Sequence, residues 1–131
     1  MGTILTIRTD KPEAEIGLFE DVKQLAYEKW QAHRELSNTI HQKLTHLLDG
    51  QGRTLTDIEG IVVYKGPGSY TGLRIGMSVA NALAYSLGCK IAAISGDTWL
   101  ENGIKELLAN RGNLIALPEY DAPARTTIPR K

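Results

Sequence analysis

The chain has 131 residues, 42% of them hydrophobic, and its 15 Lys plus Arg balance 15 Asp plus Glu. That length and apolar content suit one domain with one core, and a net charge of zero excludes a strongly basic chain that grips nucleic acid unaided. A single cysteine, Cys89, excludes an internal disulfide framework and a cysteine metal cluster and fits a reducing cytoplasm; no apolar run reaches the roughly 18 residues of a membrane helix.

The first element is a β-rich strand over residues 3–9, closed by the turn Asp10-Lys11-Pro12-Glu13. Alternation over 14–20 gives a second strand. Residues 22–31, with Val22, Leu25, Tyr27 and Trp30, read as a third strand of imperfect alternation, and the pattern alone leaves a helix open. Ser37 is placed to cap a helix over 38–49, with Ile40, Leu44, Leu47 and Leu48 on one face and Gly50 and Gly52 stopping it. A single helical turn over 54–59 precedes a strand over 60–65. A glycine-rich turn leads into a long helix over 71–87, ended by Gly88. Cys89 to Ile94 is a short strand, and Asp97 or Thr98 caps a helix over 98–110 with Leu100, Ile104, Leu107 and Leu108 on its apolar face. Residues 113–117 are apolar enough for a sixth strand, after which Pro118, Pro123 and Pro129 point to an extended tail. The order βββαβαβα predicts an α/β fold with a mixed sheet of about five strands, parallel after the opening meander.

The most informative stretch is Gly66-Pro67-Gly68-Ser69-Tyr70-Thr71-Gly72-Leu73-Arg74-Ile75-Gly76. It lies between the apolar run Ile61-Val62-Val63-Tyr64 and the long helix, a place for close approach of an anion or of another backbone. Neither the Walker A string nor the G-x-G-x-x-G spacing fits it, and Pro67 has no N–H to offer an anion. Ser69 or Thr71 can cap the helix. Gly72, Gly76, Ala80 and Ala84 recur every four residues and form one stripe; Ile75, Val79, Leu83 and Leu87 form a bulkier second one. A helical glycine costs ~1 kcal/mol against alanine, so close packing is expected to offset it. One stripe can serve a sheet and the other a neighbouring helix.

Residues Gly66 to Arg74 match the string G-P-G-S-[FY]-T-G-[LV]-R at every position, and Ile75-Gly76 extends it. By this string the chain resembles the bacterial TsaB (YeaZ) family, and a weaker resemblance runs from about residue 3 to residue 108. The resemblance implies one lobe of the actin-like, Hsp70-like and ribonuclease H-like ATPase fold over 1–112. It favours strand over helix for residues 22–31. TsaB proteins usually carry two such lobes; here a tail over 113–131 is expected in place of the second, and it looks like the tails that close full-length members. The implied function is that of a non-catalytic subunit in the synthesis of threonylcarbamoyladenosine in tRNA, holding the catalytic TsaD and helping to recruit the ATPase TsaE. TsaB homodimers and TsaB–TsaD heterodimers pair helices as a four-helix bundle. On that model the interface residues are Ile40, Leu44, Gly72, Leu73, Arg74, Gly76, Met77, Ala80 and Ala84, with the small residues admitting the partner helix. Arg74 pairs a carboxylate across the interface, braces the loop or makes a local salt bridge. Gly76→Leu is then expected to block the heterodimer with the fold intact. Gly66, Pro67, Gly68, Ser69, Tyr70 and Thr71 form the signature loop and a candidate phosphate site.

The chain departs from the family at two points. TsaB proteins commonly begin with I-D-T, and actin-like ATPases use that aspartate for metal and phosphate; here the triplet is Ile7-Arg8-Thr9, with Asp10 out of register. The family's His-Ser-Glu is here Leu36-Ser37-Asn38, so contacts of that histidine do not transfer. His33, His41 and His46 lack the H-x-x-x-H spacing of TsaD, and Ser69 lacks a histidine and acid partner, so neither a metal site nor a catalytic triad is expected. No cofactor is expected on this chain alone; ATP and Mg²⁺ belong to the complex, and tRNA is met only there. Two other classes stay open: a nucleotide- or phosphate-binding module using the glycine loop, and a diverged homodimer without a TsaD partner.

Overall fold

The alternating segments at the start of the chain pair as an antiparallel meander, β1 (Thr3–Arg8), β2 (Glu13–Glu20) and β3 (Lys23–Gln31), in a computed structural model that describes residues 2–113. The third segment is therefore a strand. Its weak alternation has a local cause: its register against β2 shifts between Leu18 and Phe19. Val22, expected in that strand, sits in the turn before it and is 75% exposed.

A 3-10 turn over His33–Glu35 leads into α1 (Leu36–Gly50). Ser37 lies inside this helix rather than at its cap. Leu36 is buried in the core and starts the helix two residues earlier than expected, while Asn38 Nδ2 donates to Glu35 Oε1 at 3.0 Å. A second 3-10 turn, Leu55–Asp57, is closed by a capping box in which the Thr54 N–H donates to Asp57 Oδ2 at 2.8 Å. The remaining elements are β4 (Ile58–Tyr64), α2 (Tyr70–Leu87), β5 (Lys90–Ile94) and α3 (Trp99–Leu108), so the chain order is the expected βββαβαβα.

The sheet order is β3-β2-β1-β4-β5. β1 runs antiparallel to β2 and parallel to β4, with Leu5 opposite Ile61 and Ile7 opposite Val63; β4 and β5 are also parallel. Helices α1 and α2 cover one face, where Leu5, Ile7, Ile16, Leu18, Ile61 and Val63 meet Ile40, Leu44, Leu48, Met77, Ala80 and Ala84. Helix α3 covers part of the other face, where Ile4, Val62 and Tyr64 meet Trp99, Ile104 and Leu107. Strand β4 is sandwiched between these layers, which is why it reads as a continuous apolar run.

Asn113 exchanges two backbone hydrogen bonds with Ile91, at 2.8 and 2.7 Å, beside β5. The rest of the expected sixth strand and the tail lie outside the described residues.

Candidate functional site

The carboxyl ends of β1, β4 and β5 converge on the glycine-rich turn. Gly66 takes a positive φ of 110°, and the Ser95 hydroxyl donates to its carbonyl. A Cβ on Gly68 would strike the Cβ of Asp10. The Ser69 N–H donates to the Asp10 carbonyl at 3.0 Å. Ser69, rather than Thr71, is the N-cap of α2: its hydroxyl accepts from the Gly72 N–H at 3.4 Å. The N–H groups of Ser69, Gly72 and Leu73 are thus turned to the chain's own oxygens, and the loop closes on the end of β1.

The small-residue stripe of α2 makes the same closure. A Cβ on Gly72 would collide with the Thr9 carbonyl oxygen, and one on Gly76 with Thr9 Oγ1. Thr9 Oγ1 donates to the Gly72 carbonyl at 2.7 Å. Gly76, Ala80 and Ala84, with Leu73 and Met77, are buried within this chain's own fold. Ile40 and Leu44 are likewise buried. The stripe's thinness lets α2 lie against β1 and the sheet, while Ile40 also lines the outer side between α1 and α2. The second stripe, Ile75, Val79, Leu83 and Leu87, is half-buried beside the core that α1 completes. Of the expected interface residues only Arg74 is exposed, and its Nη1 donates to the Tyr70 hydroxyl at 3.0 Å.

The sequence reading missed two features. The first is a groove of about 410 Å³ between α1 and α2, floored by Ile40, Ile75 and Val79 and rimmed by His41, Arg74 and Ser78. Tyr70, which also lines it, is 56% exposed, and further along α2 Tyr85 is 91% exposed. Tyr70, two positions before Gly72, and Tyr85, one after Ala84, were the available signal, but a lone surface tyrosine carries none by itself.

The second is a polar cluster on the α3 side of the sheet. Arg8 forks onto Asp10, with Nε to Oδ1 at 2.8 Å and Nη2 to Oδ2 at 3.2 Å. Its guanidinium lies 3.9 Å from the Tyr64 ring centroid and 5.9 Å from that of Trp99. Opposite Arg8 in the ladder stands Glu15, 8% exposed, which accepts the Tyr27 hydroxyl at 2.6 Å. Burial pulls the Arg8 pKa down, but the hydrogen bond and charge of Asp10 outweigh it and the net direction is up. Burial, then the bond to Glu15, pushes the Tyr27 hydroxyl well above its ordinary value. His33, His41 and His46 are exposed, and among the described residues no three or more His, Cys, Asp and Glu side chains gather where they could hold a metal ion.

This geometry agrees with the relatives. Residues 30–103, more than half of the chain, match the family model "TsaD: tRNA N6-adenosine threonylcarbamoyltransferase". The tRNA N6-adenosine threonylcarbamoyltransferase of Geotalea uraniireducens is 41% identical over 64 residues, covering 49% of this chain and 19% of that protein. TsaB of Escherichia coli K12, named a tRNA threonylcarbamoyladenosine biosynthesis protein, is 32% identical over 114 residues, covering 81% of this chain and 48% of the relative. YeaZ from Pseudomonas aeruginosa superposes with a TM-score of 0.68 at 26% identity, over 79% of this chain and 51% of that one. RuvC of Thermus thermophilus, at 12% identity and a TM-score of 0.53 over 95% of this chain and 85% of its own, shares the fold alone. The chain spans about half the length of the TsaB and YeaZ relatives. Its fold is one α/β lobe of the actin-like, ribonuclease H-like kind, and with the signature Gly66–Gly76 closing that lobe the chain belongs to the TsaB/YeaZ family, within the group that the TsaD model describes.

Proposed function

We propose that this chain is a non-catalytic docking subunit in tRNA threonylcarbamoyladenosine synthesis, and that it binds a TsaD-like catalytic paralogue through the outer surface of α1 and α2. The observation that carries the reading is the groove between these helices, with its apolar floor of Ile40, Ile75 and Val79 and the exposed Tyr70 and Tyr85 on α2. Aromatic side chains of this kind supply large contact area at low entropic cost, as in other interface anchors. A partner helix laid in the groove would cover the half-buried bulky stripe and build the four-helix arrangement. Arg74, held by Tyr70 at the rim, is placed to meet a carboxylate of the partner.

On this reading the chain makes no bond itself. It holds the catalytic subunit in its working conformation in the cytoplasm; a TsaE-like ATPase, ATP and Mg²⁺ enter at the level of the complex, and tRNA is met only there. Without the catalytic paralogue, the same face pairs two copies of this chain.

The test is light scattering on size-exclusion eluate of the chain mixed with the TsaD of its own organism. Wild type should elute as a 1:1 complex. Ser78→Trp fills the groove mouth from an exposed position and leaves the buried face of α2 untouched. That variant should elute apart from TsaD with its circular dichroism unchanged. A complex that survives Ser78→Trp and Tyr85→Ala together would refute the docking surface. A wild-type homodimer that ignores TsaD would refute the subunit reading and leave the diverged homodimer in its place.

A further inference from the structure

Actin-like folds imply a divalent metal and a nucleotide at the end of the first strand, and the residues present here do not fit that group. The end of β1 does gather two carboxylates, those of Asp10 and Glu15. Both oxygens of Asp10 are already engaged by one guanidinium, at 2.8 and 3.2 Å. Glu15, nearly buried, takes the Tyr27 hydroxyl at 2.6 Å and stands directly across the ladder from Arg8. An arginine in this place is charged at every working pH, and its planar fork matches a carboxylate. The rings of Tyr64 and Trp99 fix its other side, the first at 3.9 Å from the centroid. The missing Cβ of Gly68 lets the loop press onto Asp10, and the Ser69 N–H holds the Asp10 carbonyl, so the carboxylate is braced from the backbone side as well.

We infer that Arg8 is the fixed internal cation of this strand end: its guanidinium pairs the Asp10 carboxylate and faces that of Glu15 where a divalent ion would otherwise sit, and it bars a metal–nucleotide from the end of β1. One cation stands at two carboxylates, bonded to Asp10 and facing Glu15 across the ladder, so it already offsets one of the two negative charges there. An incoming divalent ion would have to displace a guanidinium tethered to its own binding site and held against the Tyr64 ring. This inference stands apart from the docking surface, which lies on the opposite face of the sheet, and its failure would leave that surface untouched.

The test is a Mn²⁺ titration of the full ¹⁵N-labelled chain, read as paramagnetic loss of assigned amide signals, with and without ATP. In wild type the amides of Asp10 and Glu15 should keep their intensity at millimolar Mn²⁺. Arg8→Asp converts the cation into a third carboxylate, and its Asp10 and Glu15 signals should vanish first. A variant that folds only once Mn²⁺ is added supports the inference equally. Arg8→Gln, which removes the charge without adding one, is the second variant should Arg8→Asp not fold. Selective loss at Asp10 in wild type would overturn the inference. So would folded Arg8→Asp or Arg8→Gln that keeps those signals. If neither variant folds with or without Mn²⁺, the wild-type titration decides by itself.

Discussion

Gly76→Ala should destabilise this protein although alanine is the better helix former. Gly76 is buried in the second turn of α2, where alanine alone would gain ~1 kcal/mol. Its new Cβ would fall within the envelope of Thr9 Oγ1 and come to 3.3 Å from Thr9 Cβ and Cγ2. Overpacking of this kind costs about 1–3 kcal/mol. If Thr9 rotates away instead, it abandons its 2.7 Å bond to the Gly72 carbonyl, at about 0.5–1.5 kcal/mol. The net loss is about 1 kcal/mol once the propensity gain of ~1 kcal/mol is subtracted from an overpacking cost of about 2 kcal/mol. Urea unfolding followed through Trp30 and Trp99 measures it, one indole on each side of the sheet. Thr9→Ala removes both the hydroxyl and the methyl, so in that background Gly76→Ala should cost far less, and the double-mutant cycle should show a coupling of about 2 kcal/mol. Equal stability of Gly76→Ala and wild type, or a coupling near zero, would refute the close-approach argument. Gly76→Leu, expected from the sequence to strip a partner while sparing the fold, should instead unfold the chain.

Three further outcomes are expected. Tyr27→Phe leaves the nearly buried Glu15 without its 2.6 Å hydrogen bond and should cost about 1–3 kcal/mol in the same urea assay at neutral pH. The Tyr27 pKa is raised in the folded state, so its contribution is fully present below the unfolded value of about 10 and is lost as pH climbs from there toward the folded value; alkaline titration of stability should show a decline in wild type that Tyr27→Phe lacks. Ser69→Ala removes the N-cap of α2 and should cost about 0.5–1 kcal/mol, at the low end because the bond is a long 3.4 Å.

Periodicity and apolar runs placed the strands and helices of the described lobe except the third strand, which the pattern left open and the family resemblance assigned. The third strand resisted because an edge strand with a shifted register does not alternate cleanly. The start of α1 resisted because a buried leucine outweighed a serine cap. The site was less legible. The stripe Gly72, Gly76, Ala80 and Ala84 was visible as a place of close approach, but a helix pattern does not say what approaches. Here it is Thr9, 63 residues from Gly72 in the chain. Arg8 was visible as a substitution at a metal-handling position; the fork onto Asp10 two residues away was not, since side chains at i and i+2 share a strand face only while the strand continues, and the turn after Arg8 brings Asp10 back.

The signature segment divides cleanly between two tasks. Gly66 turns the chain, Gly68 and the Ser69 N–H seat the loop on Asp10, and Gly72 and Gly76 lock α2 against Thr9. Tyr70, Arg74 and Ser78, at successive steps of four on the same helix, face the groove. A docking helix is useful only if its position is fixed before the partner arrives, since flexibility at the interface must be removed on binding. The glycines supply that fixing by letting α2 touch the central strand, and the residues between them carry the outward face. A substitution at an inward position therefore acts on binding only by moving the platform, whereas one at Ser78 or Tyr85 acts on the surface itself. That difference makes the outward positions the informative ones for testing the proposed docking surface, while most of the signature string closes the fold behind it.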